Sequence, residues 1–160
     1  MLKIVSNTTP ILSLLKIGKL HILKDLYNFI YIPTEVYNEI EAGKNKEFYT
    51  DLSKIEWIRI QNIKNPTALS YLLDLDKGEA EAIVLASEIN ANLILLDETL
   101  GRFHAQHIGL KISGTIGVLI KAKNLGYISE LKPLLFELRE KGIWLGNNFI
   151  QEILMLTNEK

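Results

Sequence analysis

Cysteine is absent from this chain of 160 residues. Disulfides and thiolate metal sites are therefore excluded, and a reducing cytoplasmic setting is expected. No excess of either charge exists: 18 Lys and Arg face 19 Asp and Glu, a net charge of −1. No global field recruits nucleic acid, so a polyanion would have to be held by a local basic patch or by metal ions. No apolar run approaches the ~18 residues of a membrane span, and the opening "MLKIVSNTTP" lacks the apolar region of a secretory signal. Proline, at 4 residues, is too scarce for a proline-rich linker, and no Gly/Ser-rich stretch, charge block or repeat breaks the chain. One domain over 1–160 is the expectation.

What is present suits a soluble globular protein with a sizeable core: 48% of residues are hydrophobic and 23% charged. Short apolar or β-branched runs alternate with helical periodicity. "LKIVS" (2–6), "FIYIP" (29–33) and "NLILLD" (92–97) read as strands. "WIRIQ" (57–61) alternates like a strand with one wet face, and "LKIS" (110–113) is a weaker strand. Thr9 is expected to cap a first helix with Pro10 at its first position and Gly18 beyond its end. "IPTEVYNEIEAG" repeats the pattern from Pro33 or Thr34 to Gly43. In "LDKGEAEAIVLASEINA" Asp76 and Glu79 form a capping box, with Ala82, Ile83 and Ala86 as the apolar stripe. Later helices are expected in "ETLGRFHAQHIG", from Thr115, from Ser129, and in "NNFIQEILMLT".

Strands separated by helices call for a mostly parallel sheet covered on both faces, and such sheets bind ligands beyond the carboxyl ends of their strands. Ser6-Asn7-Thr8-Thr9 falls just past the first strand and Asp97-Glu98 just past "LILL". Glu39 sits on the helix after "FIYIP", and Glu79 opens the helix that feeds "NLILLD". Three carboxylates and an amide crowded at one sheet edge repel one another unless a cation holds them. Oxygen-only ligands favour Mg²⁺ or Mn²⁺. Such an ion in a carboxylate cluster activates water against a phosphodiester.

At these residues the sequence resembles PIN-domain proteins. The motifs are "IVSNTTPIL", "IPTEVYNEI", "LDKGEAEAIVLASE", "LILLDE" and "GRFHAQHIGLKISGTIGVLIKAKNLG". The subfamily most similar is that of VapC-like toxins carrying a G-E-A-E-A motif. The resemblance implies a three-layer α/β/α fold around a central, mostly parallel sheet of four to five strands. It implies a Mg²⁺- or Mn²⁺-dependent endoribonuclease, often the toxin partnered by an antitoxin protein, and commonly a homodimer. By the same resemblance Glu39, Glu79 and Asp97 take three acidic positions, with Glu81 the alternative to Glu79 and Glu98 in support. Thr8 or Thr9 takes the place of a small hydroxyl residue. The family's first acid is Asp, whereas position 7 here is Asn.

Each residue also has a plainer role. Glu79 can be only a capping residue, Glu39 an exposed helix acid, Asp97 a helix cap and Ser6 to Thr9 an N-cap cluster. Arg102 can touch RNA phosphate or bond the last acids. His104 and His107 are expected in surface packing, and Lys111, Lys121 and Lys123 as solvated charges or a basic rim. Trp57, Trp144 and Phe149 are expected in the core or an interface rather than stacked on bases. The first expectation is a single-strand-directed RNase leaving 3′-hydroxyl and 5′-phosphate ends, with Asn7 as a neutral ligand. The second is a degenerate PIN domain that binds RNA or an antitoxin without cutting. A phospho-acceptor receiver would need an acidic pair after the first strand, which "IVSNTT" does not supply.

Overall fold

The computed structural model describes residues 2–159. Five strands form its central sheet: β1 (Ile4–Ser6), β2 (Ile30–Pro33), β3 (Ile58–Gln61), β4 (Leu93–Leu95) and β5 (Ile112–Ser113). All pairings are parallel, in the order β3-β2-β1-β4-β5. The helices are α1 (Thr8–Lys16), α2 (Ile22–Tyr27), α3 (Thr34–Glu41), α4 (Lys77–Glu88), α5 (Thr99–His107), α6 (Thr115–Asn124), α7 (Lys132–Glu140) and α8 (Asn147–Leu156). Short 3-10 turns cover Leu52–Lys54 and Pro66–Tyr71.

The period of two along the strands divides the interior into two layers. Ile4, Ile30, Ile32 and Leu95 face a core completed by α1, α2, α3, α6, α7 and α8. Val5, Ile94 and Leu96 point the other way, onto Ala82, Ile83, Leu85 and Ala86 of α4 and Ala105 of α5. This is a three-layer α/β/α arrangement. The chain leaves β1 outward to β2 and β3, then crosses to β4 on the other side of β1. The crevice at the carboxyl ends of β1 and β4 is thus the topological switch point, where open parallel sheets place ligands.

Every expected strand is present, each shorter than the run that signals it. Several helix details differ from expectation. The first helix starts at Thr8 with Asn7 at its cap position, and Pro10 lies two residues into it. The helix expected from Ser129 begins only at Lys132, with Pro133 in its first turn. The α2 segment, "ILKDLY", has too few residues for periodicity to reveal it. In α8, Ile150, Ile153 and Leu154 are fully buried in the chain's own core and Phe149 is exposed. Those three residues are internal packing, while Met155 and Leu156 at the end of the helix are exposed with Phe149. Among the described residues no helix is long and apolar enough to cross a membrane.

Candidate functional site

The helices that follow β1, β2, β3, β4 and β5 all begin at the carboxyl edge of the sheet, where their N-terminal dipoles favour negative charge. Asn7 stands at the centre. Its backbone N–H donates to Leu95 O at 2.9 Å, which ties it to the end of β4. Its side chain is 98% buried and does not cap α1. Instead Nδ2 donates to Glu98 Oε2 at 3.1 Å, and Oδ1 is buried without a partner. The next two residues do the same work on either side. Thr8 Oγ1 donates to Glu39 Oε2, and Thr9 Oγ1 donates to Glu98 Oε1. The polar run after β1 is therefore a set of consecutive hydrogen-bond donors reaching acids from α3 and from the cap of α5.

Glu79 lies in the first turn of α4. Asp76 Oδ1 accepts from its backbone N–H at 2.8 Å, the expected half of a capping box. On the return side the Asp76 backbone N–H acts on the Glu79 carboxylate and opposes the rise in its pKa, while the carboxylate is buried and Oε2 is left unpartnered. Burial, and next the negative charges of Asp76 and Glu98, push its pKa up to about 7. Glu39 is also raised, chiefly by burial, against the hydrogen bond from Thr8. Its Oε1 accepts from Gly78 N–H at 3.2 Å. A Cβ at Gly78 would fall on the Glu39 carboxylate, and one at Gly101 would lie 2.5 Å from Glu79 Oε2. The glycine of "GEAEA" thus admits the partly buried Glu39, and that of "LGR" the buried Glu79.

Asp97 points elsewhere along the same edge. Oδ1 accepts from Thr115 N–H at 2.7 Å and Oδ2 from Thr115 Oγ1 at 2.6 Å, at the start of α6. Arg102 Nε donates to Leu96 O at 2.8 Å and braces the strand end. Glu81 faces away from Glu79 and accepts weakly from Glu35 N–H at 3.3 Å. Glu98, read from the sequence as a support, is the acid in contact with Asn7. Thr115 is expected from the sequence only as a helix start and Gly78 only as part of the G-E-A-E-A motif; the packing reveals their contacts and the part played by Gly101.

The remaining polar candidates lie apart. His104 pairs with Asp74 at 2.9 Å, and His107 stacks on Phe103. Lys121 lies over the Tyr27 ring and Lys123 pairs with Glu159, both on the last turn of α6, far from its first. Trp57 packs against the core, as expected, whereas Trp144 is 85% exposed, which excludes the core and leaves the interface of that expectation.

Among the described residues, none of Glu39, Glu79, Asp97 and Glu98 forms an ion pair with a basic side chain. Nor do three His, Asp or Glu side chains gather closely enough to form a metal-binding group. The Arg102 guanidinium stands beside Asp97, since a Cβ at Gly114 would meet both Arg102 Nη2 and Asp97 Oδ1. Glu79 and Glu98, with the orphaned oxygens of Asn7 and Glu79, are the set whose chemistry fits a hard divalent ion. The amide at position 7 removes one charged oxygen from that set. A PIN-domain family, DUF3368, matches residues 3–159. No curated protein and no solved structure matches the chain.

Proposed function

Because the chain belongs to the PIN-domain family, whose members are generally nucleases using divalent metal ions, we propose that it is a Mg²⁺- or Mn²⁺-dependent endoribonuclease weakened by Asn7. The observation that carries this reading is the pair of buried, unpartnered oxygens, Asn7 Oδ1 and Glu79 Oε2, at the edge where Glu79 and Glu98 form no ion pair with a basic side chain. Asn7, Glu79 and Glu98 would hold the ion, with Glu39 and Asp97 flanking. Bound metal supplies a Lewis acid that acidifies water and offsets phosphate charge. Thr8 and Thr9 hold Glu39 and Glu98 in place. In the metal-free chain burial pushes the Glu79 pKa up to about 7, so metal binding would have to displace a proton from it near neutral pH.

The biological role proposed is that of a cytoplasmic toxin restrained by an antitoxin protein, acting as a homodimer on single-stranded or structured RNA. Cleavage of single-stranded RNA with Mn²⁺, comparing this chain with Asn7→Asp, tests the enzymatic part. Strong cleavage by the variant and little by the parent is expected; no cleavage by either sinks it. One contact favours a second reading, a non-cutting RNA- or antitoxin-binding domain. The Asn7 amide occupies Glu98 Oε2 itself, doing for that carboxylate part of what a cation would do.

A further inference from the structure

We propose that Trp144 is a stacking platform for one unpaired nucleobase beside the acidic site, an inference that rests on the RNase reading above. Trp144 lies in the segment 141–146 between α7 and α8 and is 85% exposed, more than any other large hydrophobic residue described. An indole so placed forgoes burial that a folded chain normally gives it, and a single exposed side chain gains meaning here from the cavity that it borders.

The exposure is built in. The backbone at Ile143-Trp144-Leu145 alternates, with Leu145 buried and Ile143 packed on the core, so the residue between them points outward. The segment is braced from both ends. Ile143 N–H donates to Leu138 O at 3.0 Å and Lys141 Nζ to Lys16 O at 2.7 Å. Arg139 Nη1 donates to Asn147 Oδ1 at 2.7 Å and to Leu145 O at 3.3 Å. A rigid aromatic face loses little freedom when a ligand stacks on it.

The indole borders a cavity of about 220 Å³ that reaches the acidic edge. Leu138, Ile143 and Leu145 give it apolar walls, and Thr9, Asp97 and Thr115 form its polar side. That volume suits a single flat ring, well below the ~300–1,000 Å³ of drug-sized pockets. Thr9 and Asp97 are also parts of the candidate catalytic edge, so a ring seated there leaves its own backbone phosphate next to the acids. Aromatic faces recognise unpaired bases of any sequence, because every base has a π-face.

The test is anisotropy titration of labelled single-stranded and duplex RNA in EDTA, with the parent, Trp144→Ala and Trp144→Phe. Cleavage is followed in the Asn7→Asp background, and indole quenching in Trp57→Phe, where Trp144 is the remaining tryptophan. Trp144→Ala should weaken single-strand binding by about tenfold or more, while Trp144→Phe retains most of it and duplex binding does not change. Unchanged single-strand binding by Trp144→Ala overturns the platform. So does a shift in molecular mass without a shift in RNA binding, which makes the indole an interface residue. Trp144-dependent binding with no cleavage by Asn7→Asp sinks the nuclease reading and leaves the platform standing. Absence of RNA binding by every form, with or without Mn²⁺, sinks both.

Discussion

Asn7 donates its amide N–H to Glu98 across 3.1 Å and leaves its own carbonyl oxygen buried and unpaired. An Asp in the same place loses the donor and sets two carboxylates in contact. Two such groups cannot both stay ionised without a cation or a strongly raised pKa. The single atom that separates Asn from Asp therefore governs whether this edge of the sheet demands a metal.

Asn7→Asp should raise Mn²⁺ affinity, measured by titration calorimetry, by roughly 5- to 150-fold, equivalent to about 1–3 kcal/mol. In EDTA the same variant should be less stable than the parent by about 1–3 kcal/mol, and Mn²⁺ should restore the loss. Equal metal affinity in the two proteins would show that position 7 does not touch the ion.

The raised pKa of Glu79 makes stability pH-dependent. The folded state binds this proton more tightly than the unfolded state, since the pKa moves from 4.5 to about 7. Its contribution is fully present below 4.5 and lost as pH rises through about 7. Glu79→Gln should therefore stabilise the metal-free protein at pH 8 more than at pH 5, by on the order of 1–3 kcal/mol. Urea melts at the two pH values measure this; a pH-independent difference would mean that Glu79 is ionised throughout.

Gly78→Ala separates the site from the scaffold. The added Cβ displaces the flexible end of Glu39, while alanine in a helix gains up to about 1 kcal/mol over glycine. Thermal stability should hold or rise. Metal binding and cleavage by the Asn7→Asp form should fall at least about tenfold, a loss of about 1.4 kcal/mol. Unchanged cleavage would remove Glu39 from the machinery.

Thr115→Val removes one of two donors to Asp97 and leaves the backbone N–H in place. The expected cost is about 1–3 kcal/mol of stability, read from denaturant midpoints. If Asp97 instead turns toward a metal in solution, the variant should lose almost nothing in the presence of Mn²⁺.

Ile150, Ile153 and Leu154 are buried internally and take the centre of the α8 stripe, so the exposed apolar residues of the helix, Phe149 near its start and Met155 and Leu156 at its end, lie at opposite ends. Light scattering at high concentration should give the same mass for the parent and for Phe149→Ala. A dimer mass that falls in the variant would restore α8 as the interface.

The alternation of strand and helix, and with it the parallel sheet, was determined by local pattern. "IVS", "IYIP" and "LIL" can be buried only as strands between helices, and the loop after each must lie at the sheet edge. The chemistry at that edge was legible as residue types: an amide, hydroxyls and acids placed after strands. The partners of those side chains were decided only by packing. No spacing in the chain says that Asn7 meets Glu98, 91 residues away, or that Asp97, one residue earlier, turns to Thr115. Neighbours on an irregular strand end point in different directions, and which helix start each one meets depends on the crossover from β3 to β4. Burial was decided in the same way. Trp144 reads as core or interface from its residue type, and it lies outside the core because Ile143 and Leu145 on either side of it take the inward positions.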